Sequence, residues 1–276
     1  MKDSLVWSTS YLAAVLGACP LIWGFVWPRQ ISDRNLATRC AAQKPQMIFP
    51  GGGIFFYWQA GVVCYLREQG YDLSLCKFSG ASAGALTSTL AAADVDFYEA
   101  TDLALALAAK AGVWDRPLGL QGIWGPMIEQ WLGTLLPESI SSVEGRLLLL
   151  VTPVPSLGKT QVSKFKSKED LIRCNMASVH LPWFLDGKLT SEFRGQAYID
   201  GSFRSTWEDY RCQNKGQEGS VLFVDWKKDP SMASQGLLSF IETLSSDGIW
   251  DLVDRGKRYA RIMEAQGEFQ ELPRLS

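Results

Sequence analysis

Ser82 stands at the centre of Gly80-Ala81-Ser82-Ala83-Gly84, with a glycine two residues away on either side. A hydroxyl in that setting can act as a nucleophile toward a carbonyl carbon. The G-x-S-x-G spacing puts the serine on a sharp turn from strand to helix, where small neighbours keep the chain from clashing. The helix start also offers free backbone N–H groups and a positive dipole end to a developing oxyanion. Alone, the pattern fits a plain tight turn into a helix about as well. Two further groups could complete a site. Gly51-Gly52-Gly53 can aim backbone N–H groups at an anion. Asp200, in Tyr198-Ile199-Asp200-Gly201-Ser202, can project a carboxylate from a strand end. Each has a plainer reading, a flexible turn for the glycines and an Asp-Gly turn for Asp200. A nucleotide loop fits poorly: no Lys-Ser/Thr follows at P-loop spacing, and the third glycine of a dinucleotide loop is missing.

The chain has one histidine, His180. A Ser-His-Asp triad would have to use it, and behind a nucleophile elbow the usual order is Ser, then acid, then His. The acid would then be Asp94, Asp96, Asp102, Asp115 or Asp170, none of which sits at a clear strand end. Either the chemistry proceeds without imidazole or there is none, and His180 reads as a packing residue. The six cysteines are scattered, with no C-x-x-C pair. They read as reduced thiols of an intracellular protein, and no metal site is expected. A net charge of −2 and the lack of a basic stripe argue against a nucleic-acid partner.

The elements that must hold these residues alternate. Gln46–Pro50 reads as a strand ahead of the glycines, and Ile54–Gln69 as a helix stopped by Gly70. Leu73–Ser79 reads as the elbow strand and Ala85–Ala93 as its helix. Asp96–Ala111 reads as a helix rich in alanine and leucine on most faces, hence buried. Arg146–Thr152 is an apolar run suited to a central strand covered on both faces. Ser167 with Asp170 reads as a cap opening a helix to Ala177. Gln196–Ile199 and Ser220–Val224 read as short strands, and Gln235–Gln266 as mostly helical with a break near Gly248. Such alternation implies an α/β fold with a mostly parallel central sheet covered by helices.

Three segments are expected: 1–45, 46–228 and 229–276. Leu5–Trp27 carries no charge over a length that suits a bilayer span, with Trp7, Trp23 and Trp27 near its ends. Arg29, Arg34, Arg39 and Lys44 follow it against Asp33 alone, which would keep the remainder on the cytoplasmic side. A transmembrane anchor is the first reading. A cleaved targeting segment, directing the chain to an organelle such as a plastid, is the second, and a buried helix the third. Residues 28–45 read as a polar linker.

Taken in order, the glycine loop, the G-x-S-x-G elbow and the downstream Asp-Gly resemble the patatin-like phospholipase family. The resemblance runs from about Met47 to Asp200. It is strengthened by Ala177-Ser178-Val179-His180-Leu181-Pro182-Trp183-Phe184, similar to the family's small-residue, Ile/Val-Pro-x-Phe segment ahead of the aspartate. The resemblance implies a serine lipid acyl hydrolase with a Ser-Asp dyad, no catalytic histidine and no cofactor. Ser82 would be the nucleophile and Asp200 its base. Gly51, Gly52, Gly53 and Ala83 would donate N–H groups to the oxyanion, with Gly80 and Gly84 shaping the elbow. Asp200 would rely on desolvation to raise its pKa. A catalytically weak lipid-binding protein and a lipid acyltransferase are the alternatives. The chain departs from the family where an Arg or Lys and a Gly often follow the triple glycine; it has Ile54, Phe55 and Phe56. Eleven tryptophans and the apolar segment Ile123–Leu136 agree with a lipid substrate, the segment being either an interfacial helix or an ordinary core-facing one.

Overall fold

The computed structural model describes residues 44–212, 219–235 and 239–275. The readings of residues 5–27 and of the linker up to residue 43 lie outside the described residues. Among those described, no helix is long and apolar enough to cross a membrane.

Seven strands build one sheet: β1 (Gln46–Phe49), β2 (Lys77–Gly80), β3 (Leu147–Pro153), β4 (Thr160–Val162), β5 (Ser191–Phe193), β6 (Gln196–Ile199) and β7 (Val221–Phe223). Their order is β5-β6-β3-β2-β1-β7, with β4 paired to β3. The four strands β3, β2, β1 and β7 are parallel, and β4, β5 and β6 join antiparallel on one flank. Every residue of β3 is buried, as its apolar run requires. Register sets up the site. Phe49 lies opposite Gly80, so the glycine loop after β1 and the elbow after β2 leave the sheet side by side. Strand β6 returns along β3 with Ile199 opposite Thr152, carrying Asp200 back toward that edge.

Among the described residues, six helices surround this frame: α1 (Phe56–Glu68), α2 (Ala83–Ala92), α3 (Phe97–Lys110), α4 (Trp124–Leu135), α5 (Lys168–Ser178) and α6 (Ser246–Ala265). Asp96 caps α3 by accepting from the N–H groups of Tyr98 and Glu99, and Ser167 caps α5 by accepting from Asp170. Helices α1 and α6 cross at backbone contact. A β-carbon on Gly61 would lie 2.0 Å from the Val253 carbonyl oxygen, and one on Gly256 1.9 Å from that of Trp58. Alternate residues of the central strands divide between two apolar clusters. Met47, Phe49, Phe78 and Leu149 join the large cluster shared with the helices. Ile48, Leu148 and Leu150 pack under Tyr210 on the other side.

Some boundaries differ from those read in the sequence. The elbow strand covers only Lys77–Gly80, because the Asp72 carboxylate accepts from the Ser74 N–H and winds Leu73–Leu75 into a 3-10 turn. The first helix begins with another such turn, Gly53–Phe55, before α1. Helix α3 is not wholly buried: Leu103, Leu105 and Leu107 are half-buried. Leu103 and Leu107 pack against the main core, while Leu105 and Leu107 also wall a cleft. Gly248 does not break the last helix but lies in its first turn, its N–H donated to the Ser245 hydroxyl. Most of 226–241 is short 3-10 turns, with three residues outside the description.

Candidate active site

Ser82 joins β2 to α2 with φ +54° and ψ −129°, a region that a residue with a β-carbon rarely enters. Its neighbours must be bare. A β-carbon on Gly84 would stand 1.9 Å from the Phe49 carbonyl oxygen, and one on Gly80 2.0 Å from that of Gly84. The elbow is held from behind: the Ser82 N–H donates to Ser178 Oγ at 3.0 Å, and that hydroxyl donates to the Leu150 carbonyl at 2.7 Å. Ser82 is 7% exposed. The N–H of Ala83, at the start of α2, takes part in none of the backbone bonds of the described turns.

Asp200 arrives on the same mount. Its N–H donates to the His180 carbonyl and that of Gly201 to the Ser178 carbonyl, both at 2.8 Å. Its Oδ1 accepts from the Ser202 N–H at 2.8 Å and the Ser202 hydroxyl at 2.6 Å. The other oxygen, Oδ2, is buried and has no hydrogen-bond partner among the described groups. Burial raises the carboxyl pKa above its ordinary value, against the opposing pull of the Ser202 and Ser82 hydroxyls and the Lys159 charge. Ser82 thus stands near enough to favour the ionised carboxylate, though no bond to Oδ2 is closed; such bonds commonly tighten only with substrate. Behind the pair, Lys159 donates to Thr152 Oγ1 at 2.9 Å and to the Phe203 carbonyl. Thr152 in turn donates to the Asp200 carbonyl at 2.9 Å. Burial lowers the Lys159 pKa to about 8.

The glycine loop lies against both groups. A β-carbon on Gly51 would meet Ser202 Cβ and Oγ at 2.7 Å and Ser82 Cβ at 3.2 Å. Among the described residues, none of the backbone bonds of loops and turns uses the N–H of Gly51, Gly52 or Gly53. Gly53 has φ +53°. Ser82, Ala83 and Gly53 open onto a cleft of about 930 Å³, its open mouth included. Its walls include Leu105, Leu107, Trp124, Trp131 and Leu185, and among the described residues no charged side chain lines it. Helix α4 is therefore a wall of the cleft as well as a core helix, with Trp131 Nε1 donating to the Ala100 carbonyl.

His180 is 1% exposed, and its Nε2 lies 3.3 Å from the Lys188 carbonyl. Its backbone positions Asp200; its ring bonds elsewhere. Burial lowers its pKa and so favours the neutral ring. His180→Gln is expected to keep at least about a third of wild-type kcat/KM, because an amide can still donate to that carbonyl. A loss as deep as that of Ser82→Ala would give the imidazole a direct part in the reaction.

The sequence model of the family described as patatin-like phospholipase matches residues 47–206. The chain belongs to that family. The match takes in the glycine loop, the elbow and Asp200, so the patatin-like frame and the three converging segments are one feature. Among curated relatives, a mouse omega-hydroxyceramide transacylase is 32% identical over 57% of this chain and 27% of its own length. Human patatin-like phospholipase domain-containing protein 2 is 29% identical over 60% of this chain and 34% of its own. A mouse 1-acylglycerol-3-phosphate O-acyltransferase is 26% identical over 55% and 38%. The chain thus spans roughly a third of the length of these relatives. Among solved structures, VipD from Legionella pneumophila aligns at 14% identity with a TM-score of 0.38, over 66% of this chain and 49% of that one.

The structure brings together Ser82, Asp200 and the glycines of the patatin-like frame. Sequence reading gave no part to Ser202, Thr152, Lys159 or Trp226, and it named Ser178 only within a motif. Ser178 had the clearest signal, as the small residue two before His180. The others act through tertiary contacts that leave no local pattern.

Proposed function

We propose that this protein is a serine acyl hydrolase of lipid carboxylic esters, working through a dyad of Ser82 and Asp200. The observation that carries the reading is the buried, unpaired Oδ2 of Asp200 beside the strained Ser82 at the foot of an uncharged cleft. Asp200 Oδ2 takes the hydroxyl proton as Ser82 Oγ bonds to the ester carbon. The N–H groups of the glycine loop and Ala83 receive the oxyanion. Collapse breaks the bond to the alcohol, which leaves with the proton from Asp200. Water, deprotonated by the same carboxylate, then releases the fatty acid. A cleft with so apolar a lining suits a long acyl chain. An anchor over residues 5–27 would hold the site at a bilayer.

Acyl transfer is the second reading. The described cleft lining offers little to order water: its hydroxyls are those of Tyr57, Ser82 and Thr243, and the indole N–H groups of Trp114 and Trp131 are donated to backbone carbonyls. Two relatives are named as a transacylase and an acyltransferase. An alcohol reaching the acyl-enzyme ahead of water would then be the acceptor. The test is purified protein with a mixed lipid extract, wild type beside Ser82→Ala, read by mass spectrometry with and without a long-chain alcohol. Free fatty acid supports hydrolysis, and new ester at its expense supports transfer. Neither product above the Ser82→Ala background removes both.

The pH profile gives a second check. Asp200 acts only when ionised, and burial raises its pKa above the ordinary 3.8. Activity should therefore fall as pH drops through a midpoint above 3.8. An acid limb of kcat/KM at or below the value of an exposed aspartate would contradict a buried base.

A further inference from the structure

We propose that Trp226 is a positioning residue for the glycine loop: its indole N–H holds the Gly51 carbonyl, and so turns the Gly52 N–H toward the carbonyl under attack. The inference rests on the dyad reading above and adds what fixes the oxyanion donors.

Trp226 Nε1 donates to the Gly51 carbonyl at 3.3 Å. A trans peptide is planar, with its C=O and N–H on opposite sides, so holding the Gly51 oxygen fixes the direction of the Gly52 N–H. That N–H takes part in none of the backbone bonds of the described loops and turns, so it has no other tether. The loop is enclosed on two sides. Where Gly51 faces Ser82 and Ser202, Gly52 faces the indole: a β-carbon there would lie 2.9 Å from Trp226 Nε1 and 3.3 Å from Phe55 Cβ.

The indole is itself anchored. Trp226 follows β7, where the Val224 N–H donates to the Ile48 carbonyl and keeps the turn beside β1. Asp225 opens the turn by accepting from the Lys227 N–H. The Phe55 ring packs on the indole with centroids 4.4 Å apart and planes tilted by 48°. Phe55 is one of the residues at which the chain departs from the family pattern. A flexible triple glycine thus gains its order from an aromatic pair drawn from opposite ends of the domain. A donor directed before substrate arrives needs no reorganisation in the transition state, whereas a loop free to turn loses part of that benefit.

Trp226→Phe keeps a ring against Phe55 and removes the N–H. Expected are a fall in kcat of about 10–100-fold, KM within about twofold of wild type, and an unchanged melting temperature. A boronic-acid analogue of the tetrahedral intermediate should bind more weakly by the same factor, while a long-chain fatty acid binds as before. Trp226→His, which restores a ring N–H, should recover part of the loss. Wild-type kcat in Trp226→Phe would overturn the proposal, as would equal losses for the analogue and the fatty acid. Ser82→Ala in the same assays separates the two levels. If it turns over substrate, the dyad reading falls; if it is silent while Trp226→Phe is normal, only the role of Trp226 falls.

Discussion

Asp200→Asn and Ser82→Ala should each lower kcat/KM by about 10³-fold or more, and the double variant should be no worse than either single one. In the proposed dyad the two groups share one proton. Ser82 without a base is a weak nucleophile at neutral pH, and Asp200 without the hydroxyl has no proton to take. An asparagine in place of Asp200 keeps the size and still accepts from the Ser202 N–H and hydroxyl, so the turn after β6 should survive. What changes is the oxygen with no partner, Oδ2, replaced by an amide that cannot accept a proton. Steady-state kinetics on a soluble ester, with a fluorophosphonate probe for Ser82, measures both effects. Multiplied losses in the double variant would mean that the two residues act independently and that no dyad exists.

Gly84→Ala should cost about 3 kcal/mol or more of folding stability, although it adds a single methyl group. The new carbon would lie 1.9 Å from the Phe49 oxygen, 2.5 Å from its carbonyl carbon and 2.7 Å from the Pro50 oxygen. All three are backbone atoms, so no side-chain rotation relieves the overlap. Strand β1 and helix α2 would have to separate, and β1 leads straight into the glycine loop. Gly133→Ala in α4 is the matched control, since nothing lies within 4 Å of its added carbon. That change should be neutral or stabilising by up to about 1 kcal/mol. Urea unfolding of the two variants compares them directly. Equal stability would show that the packing between the elbow helix and β1 is looser than described.

The contrast between these two glycines also explains what the sequence made legible. Gly80 and Gly84 are marked because the backbone there tolerates no β-carbon, and such demands write themselves into neighbouring residues. The run Arg146–Thr152 is readable as a strand, observed at Leu147–Pro153, because a strand buried on both faces must be apolar throughout. Less legible were features set by distant partners. Leu105 of α3 reads as core because periodicity cannot tell a packed face from the wall of a cleft. Leu73–Leu75 looked like strand, and the Asp72 carboxylate turned it aside. Asp200 was visible through its Gly201 and its place after a strand. Ser202 carries no local signal, yet it supplies the two hydrogen bonds that hold Oδ1 of the carboxylate.

Ser178 ties the two halves of the site together. Its hydroxyl receives the amide of Ser82, its carbonyl receives the amide of Gly201, and the same hydroxyl is pinned to β3. Hydroxyl and carboxylate, more than a hundred positions apart along the chain, are therefore bolted to a single bracket. Breathing of the sheet or swaying of the cleft walls would carry both together, so their spacing is insulated from such movements.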